Sequence, residues 1–278
     1  MKENLDYILF LYGLSFLLLA TISFRFWKEK IKITLNWGWL ALFGLFHGIN
    51  EWLELLALSF PFPFLGKVVI FIVLAVSFCC LFEFGRRSYP SKDDRPSLGV
   101  WIYGPLFLLC AAGGFYGLTG WTIGVRYSFA LFGGILTAFA FFHRSPHTPF
   151  HHKEWLRCCG FVFFIYAFAT GIFGPKANFF PASVVNQDVF FASTGIFIQA
   201  VRGSCAVLIS FFSALIFLNL KISWSSENIR SHIKQIFTYQ MIALMFVVVL
   251  GWVFVDKISQ EKFVYKQKVF LDQARILS

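Results

Sequence analysis

Long apolar runs dictate the fold class of this chain before any single residue does. Eight can be marked: Tyr7 to Trp27, Asn36 to Phe60, Leu65 to Arg86, Leu98 to Leu118, Gly120 to His143, Trp155 to Gly174, Gly195 to Leu220 and Tyr239 to Lys257. Each is close to the roughly 20 helical residues that cross a hydrocarbon core. A lone segment in lipid must satisfy its own backbone groups, so these runs predict α-helices; barrel strands would alternate in polarity and be about half as long. Pro105, inside the fourth run, is expected to kink its helix. The expected fold is all-α, a polytopic membrane protein with a bundle of about eight transmembrane helices over residues 1–258.

Composition fits that solvent. The chain is 58% hydrophobic and holds 39 phenylalanines, more bulky apolar surface than a soluble fold of this size could hide. Its net charge of +10 sits in the connectors, without the interleaved aromatic and basic pattern of a nucleic-acid groove, so nucleic acid is excluded as a partner.

The charge instead orients the chain. Arg25, Lys28, Lys30 and Lys32 follow the first run; Arg86, Arg87, Lys92 and Arg95 follow the third; Arg144, Lys153 and Arg157 follow the fifth; Lys221, Arg230 and Lys234 follow the seventh. The opposite connectors hold only Lys2, Lys67 and Lys176 before the last run. Positive residues stay inside, which predicts that the N-terminus and C-terminus are both extracytoplasmic. The basic cluster follows the first apolar run, opposite to a cleavable signal peptide.

Residues 259–278 then begin on the outer side. Phe263, Phe270 and Leu277 recur every seven residues beside Val264 and Leu271. That stripe reads as an amphipathic helix, either the first element of a further outer domain or a helix resting on the membrane.

Against this background the stretch FHGINEWLE, Phe46 to Glu54, stands out. His47, Asn50, Glu51 and Glu54 have spacings i, i+3, i+4 and i+7 and so share one face of the second helix. Ionisable groups in a bilayer cost roughly 2.5–3.5 kcal/mol each, so that face is expected to meet the bundle interior and find partners. Arg126 in the fifth run and Arg202 in the seventh are the candidates. At about 1.5 Å per residue, both arginines and both glutamates come out about 9–13 Å below the outer end. The expectation is a cluster among the second, fifth and seventh runs, with Gln199 one turn above Arg202 and Glu83 paired separately with Arg86 and Arg87.

Two readings of the cluster stay open. Its charges can neutralise one another and fix packing, or its surplus polar groups can hold a small-molecule ligand or a proton. Metal ligation is not indicated, because His47 and Glu51 offer two ligands where zinc takes three or four. His143, His147, His151 and His152 read as a solvated connector broken by two prolines. The six cysteines fall in or beside apolar runs and imply no disulfide framework. The apolar outer connector, Gly174 to Ser193, is expected to lie over the cluster as a lid. The inner connector, Ser223 to Phe237, is expected on the inner leaflet, and the pairs Gly113, Gly114 and Gly133, Gly134 are expected to let the fourth and fifth helices approach closely.

No metalloprotease, nucleophile-elbow or P-loop motif is present, so this chain is not expected to be an enzyme. Without an internal repeat or matched broken helices, the common secondary transporters do not fit, although a small-solute or ion carrier using the same cluster remains the alternative.

The sequence LFLYGLSFLLLATISF (Leu9 to Phe24) with WLALFGLFHGINEWLEL (Trp39 to Leu55) resembles the N-terminal multispan region of bacterial membrane sensors, chiefly histidine kinases and diguanylate-cyclase-type proteins. The resemblance covers mainly the first two runs. It implies a sensory or ligand-recognition module of a signal-transduction receptor, multi-pass in the bacterial inner membrane, with the bilayer and a small-molecule ligand as partners and a homodimer compatible with the class. It carries no catalytic activity, since this chain shows neither a phosphoacceptor region nor ATP-binding glycine boxes. No cofactor is indicated.

Overall fold

The computed structural model describes residues 5–29, 35–89, 98–144, 150–223 and 253. Among these no strand occurs. The helices are α1 (Leu5–Lys28), α2 (Trp37–Ser59), α3 (Phe64–Ser88), α4 (Tyr103–Gly114), α5 (Gly117–Val125), α6 (Leu131–Arg144), α7 (Phe150–Gly171), α8 (Gln187–Thr194) and α9 (Ile198–Ser223). A 3-10 turn, Val100–Ile102, leads into α4, and a π turn, Arg126–Ala130, joins α5 to α6.

By length and composition, four described helical stretches can cross a membrane: Leu5–Lys28, Phe64–Ser88, Gly117–His143 and Ile198–Asn219. They coincide with the first, third, fifth and seventh apolar runs. The second and sixth runs are the long helices α2 and α7, which carry the ionisable groups. The fourth run holds only a shorter apolar helix, Val100–Gly114. The eighth run apart from Val253, the tail 259–278, the inner connector beyond Ser223 and residues 145–149 of the histidine-rich connector lie outside the described residues; His151 and His152, expected in that connector, fall instead in the first turn of α7.

Six of these elements close a ring. α1 packs on α2, α2 on α3, α3 on α6, α6 on α7, α7 on α9, and α9 returns to α1. Glycines let the walls meet: a Cβ at Gly44 would fall 2.7 Å from Phe16 O, and one at Gly134 would fall 2.6 Å from Ala167 Cβ. Small residues of this kind permit the backbone approach that packing in lipid relies on. The interior is largely aromatic. Phe16, Phe26, Phe43, Phe78, Phe141 and Phe163 are almost wholly buried there, which gives the phenylalanine excess a structural use.

α4 and α5 form a hairpin that packs against α3. Its contact is so close that a Cβ at Gly113 would lie 2.3 Å from Gly120 O. Close approach of the fourth and fifth runs was expected of all four small residues; Gly113 and Gly114 serve it, against Gly120 and Trp121 of α5, whereas Gly133 meets Phe82 of α3 and Gly134 meets α7. Pro105 also departs from expectation. With α4 starting at Tyr103, it occupies the first turn, where a missing N–H leaves no helical bond broken and requires no kink.

α1, α3, α5 and α9 begin, and α2, α4 and α7 end, at the same side of the ring. The connector after α7 lies at this side, with Gly174 against Arg126 and Phe179 stacked on Tyr116. The connector contains α8, capped by Asn186, whose Oδ1 accepts from Asp188 N at 3.0 Å and Val189 N at 3.1 Å.

Candidate functional site

His47 is the hub of a polar cluster inside the ring. It is 1% exposed and surrounded by rings, with Phe16 at 4.7 Å, Phe78 at 5.1 Å and Phe43 at 5.3 Å between centroids. Where Ser77 Oγ donates its single hydrogen to Leu74 O at 2.7 Å, the 3.0 Å contact between Ser77 Oγ and His47 Nδ1 is donated by the imidazole N–H. Nε2 of the neutral ring is then the acceptor, and Tyr166 Oη donates to it at 2.9 Å. Tyr12 Oη lies 3.2 Å from Nε2 and 3.3 Å from Tyr166 Oη, closing a triangle. Glu51 Oε1 lies 3.5 Å from the same nitrogen.

The arginines do something the sequence did not foretell. Arg202 Nε donates to Ala169 O at 2.9 Å, and its terminal NH2 donates to Phe173 O. Arg126 donates through one terminal nitrogen to Thr170 O at 3.4 Å, and its guanidinium sits 5.7 Å from the centre of the Phe78 ring. Ile172 N still reaches Phe168 O; the carbonyls beyond lie at the open C-terminus of α7. Helix ends leave such carbonyls unpaired and carry partial negative charge, so two guanidiniums there satisfy acceptors and dipole together.

The expected pairing of Arg126 and Arg202 with Glu51 and Glu54 is therefore corrected. Neither arginine forms an ion pair with either glutamate among the described residues, where Glu83 pairs with Arg86 and Arg87 and Glu154 with Arg157. The charges nevertheless share one electrostatic neighbourhood, because Glu51 lies within reach of Arg126, Arg202 and Glu54. The α7 carbonyls compete better for the guanidiniums because they need donors in any arrangement.

Of the residues singled out from the sequence, His47, Asn50, Glu51, Arg126 and Arg202 are buried in this region. Glu54 is half-buried and accepts from Asn50 Nδ2 at 3.2 Å. Gln199 stands apart, its Nε2 donating to Gln187 Oε1 of α8 at 3.4 Å. Sequence reasoning missed Tyr12, Ser77 and Tyr166. They come from α1, α3 and α7, so five of the six ring helices contribute a polar group, and Arg126 enters from the π turn that precedes α6.

The network is incomplete. Asn50 Oδ1 and Arg126 Nε are buried and have no partner, and burying such groups costs about 1–3 kcal/mol each, more where charged. Asn50 Oδ1 is an open acceptor and Arg126 Nε an open donor for something polar. The connector after α7 reaches the cluster at the arginines: Phe173 O accepts from Arg202, and Gly174 packs so that a Cβ would stand 3.5 Å from Arg126 Cδ. Among the described residues no group of three or more potential metal ligands occurs.

No known family, curated protein or solved structure matches the chain.

Proposed function

We propose that this chain is the membrane-embedded sensory module of a bacterial signal-transduction receptor, and that the cluster around His47 is its ligand or proton site. The carrying observation is the incomplete polar network inside the ring, with Asn50 Oδ1 and Arg126 Nε unpaired. A cluster serving packing alone would gain by closing those bonds or replacing the groups with apolar ones.

In this reading the chain spans the inner membrane about eight times, with the His47 end outward. The cluster has two arrangements. With neutral imidazole, Nε2 accepts from Tyr166. With a second proton, Nε2 becomes a donor and its nearby acceptor is Glu51, while Tyr12, Tyr166, Arg126 and Arg202 face the pair from the other walls. A polar ligand bridging Asn50 and Arg126 acts on the same groups. Either event favours one packing of the ring only by interacting differently with the two packings. The resemblance of the first two runs to membrane sensors favours a receptor over a carrier.

Proteoliposomes separate the classes. A receptor module takes up no more labelled amino acid, sugar or ion than empty vesicles. A pool of bacterial small metabolites raises the Tm of the wild type but not of Glu51→Gln or Arg126→Gln. Solute uptake abolished by Glu51→Gln would assign a carrier instead, and equal Tm shifts in all three proteins would reduce the cluster to packing.

A further inference from the structure

A second site lies at the opposite end, outside the ring. A shallow groove of about 510 Å³ opens between α2, α3 and α4. Ile72, Val76, Cys79, Glu83 and Arg87 line its α3 wall at spacings of three and four, a single stripe along the helix. Trp39 of α2 and Tyr103 of α4 form its sides. The apolar part is open, with Ile72 51% and Val76 38% exposed.

The mouth is charged and unbalanced. Glu83 is held from several directions: Arg86 Nε and NH2 each donate at 2.7 Å, Tyr103 Oη donates at 2.5 Å, and Arg87 Nε donates as well. Arg86 is buried and also donates to Leu98 O at 2.7 Å, so its guanidinium is consumed by the protein. Among the described residues one carboxylate thus faces two guanidiniums, which leaves one positive charge over. The surplus belongs to Arg87, whose side chain is 45% exposed and lies 5.5 Å from the centre of the Trp39 ring.

We infer that this groove binds one anionic phospholipid of the inner leaflet, its phosphodiester on Arg87 and one acyl chain along Ile72, Val76 and Cys79. The inference rests on the membrane orientation proposed above but not on the sensory role. From Arg87 to Ile72 the stripe runs about 22 Å at 1.5 Å per residue, which exceeds half of the ~30 Å hydrocarbon core and so accommodates a chain of one leaflet. The inner leaflet carries the negative lipids that juxtamembrane arginines attract. The other candidate occupant is the chain's own apolar segment 239–257. Its single acidic residue, Asp256, lies at the end expected to face outward, so it offers nothing to Arg87.

The full chain is extracted from vesicles of equal phosphatidylglycerol and phosphatidylcholine, and retained lipid is counted by native mass spectrometry. One phosphatidylglycerol is expected on the wild type, at least tenfold over phosphatidylcholine. Arg87→Gln should lose that preference, Arg87→Lys should keep most of it, and Val76→Trp, which fills the groove without touching the charges, should retain neither lipid. A photoreactive residue at Val76 should crosslink to lipid. No retained lipid, unchanged selectivity in Arg87→Gln, or crosslinking from Val76 to 239–257 would each overturn the site. A wild type that leaves vesicles without detergent would overturn the membrane orientation as well, which separates the two failures.

Discussion

Arg202 and Arg126 look alike in the sequence, each a lone cation in an apolar run, yet the structure gives them different work. Arg202 makes two charge-assisted bonds to α7 carbonyls, while Arg126 makes one longer bond and leaves Nε open. Arg202→Gln should therefore destabilise the fold by about 2–4 kcal/mol, and Arg126→Gln by less than half of that, as measured by reversible unfolding in detergent. Equal losses would show that the open Nε has no consequence. The histidine and carboxylates were legible in the sequence because charge inside an apolar run is conspicuous. Tyr12, Ser77 and Tyr166 were not, since a hydroxyl within such a run carries no charge to betray its partner. Nor could the destination of the guanidiniums be read, because backbone carbonyls at a helix end leave no mark in residue identity.

Among the elements, the helices were readable from run length, whereas their internal irregularities depended on packing. The π turn at Arg126–Ala130 interrupts the helix where Arg126 enters the ring, and Ser128 Oγ donates to Gly124 O at 2.6 Å beside it. Extra residues of this kind re-aim side chains and recur at functional positions. Pro105 shows the reverse case, a residue expected to bend a helix that instead begins one. Pro105→Ala should change unfolding free energy by no more than about 1 kcal/mol. Gly113→Val should cost about 3 kcal/mol or more, because the new side chain meets backbone at Gly120 instead of a movable side chain. If the two substitutions proved equally harmful, Pro105 would have a role beyond the first turn.

At the scale of the whole molecule, the ring holds one polar centre, and a charged groove opens outside it between α2, α3 and α4. The proposed orientation rests on the connectors: cysteine at Lys176 should react with a membrane-impermeant maleimide added to intact spheroplasts, and cysteine at Lys28 only after lysis. The reverse pattern would invert both the proposed sensory site and the proposed lipid groove.

The central claim is that the charge state of the buried cluster sets how the ring packs. Spin labels on cysteines replacing Lys28 and Glu154, at the far ends of α1 and α7, report that packing as a distance distribution in nanodiscs. With Glu51→Gln added, which removes the carboxylate but keeps its shape, the distribution should shift its weight between two distances; a control Lys67→Gln, at an exposed side chain, should leave it unchanged. Superimposable distributions for wild type and Glu51→Gln would contradict the claim.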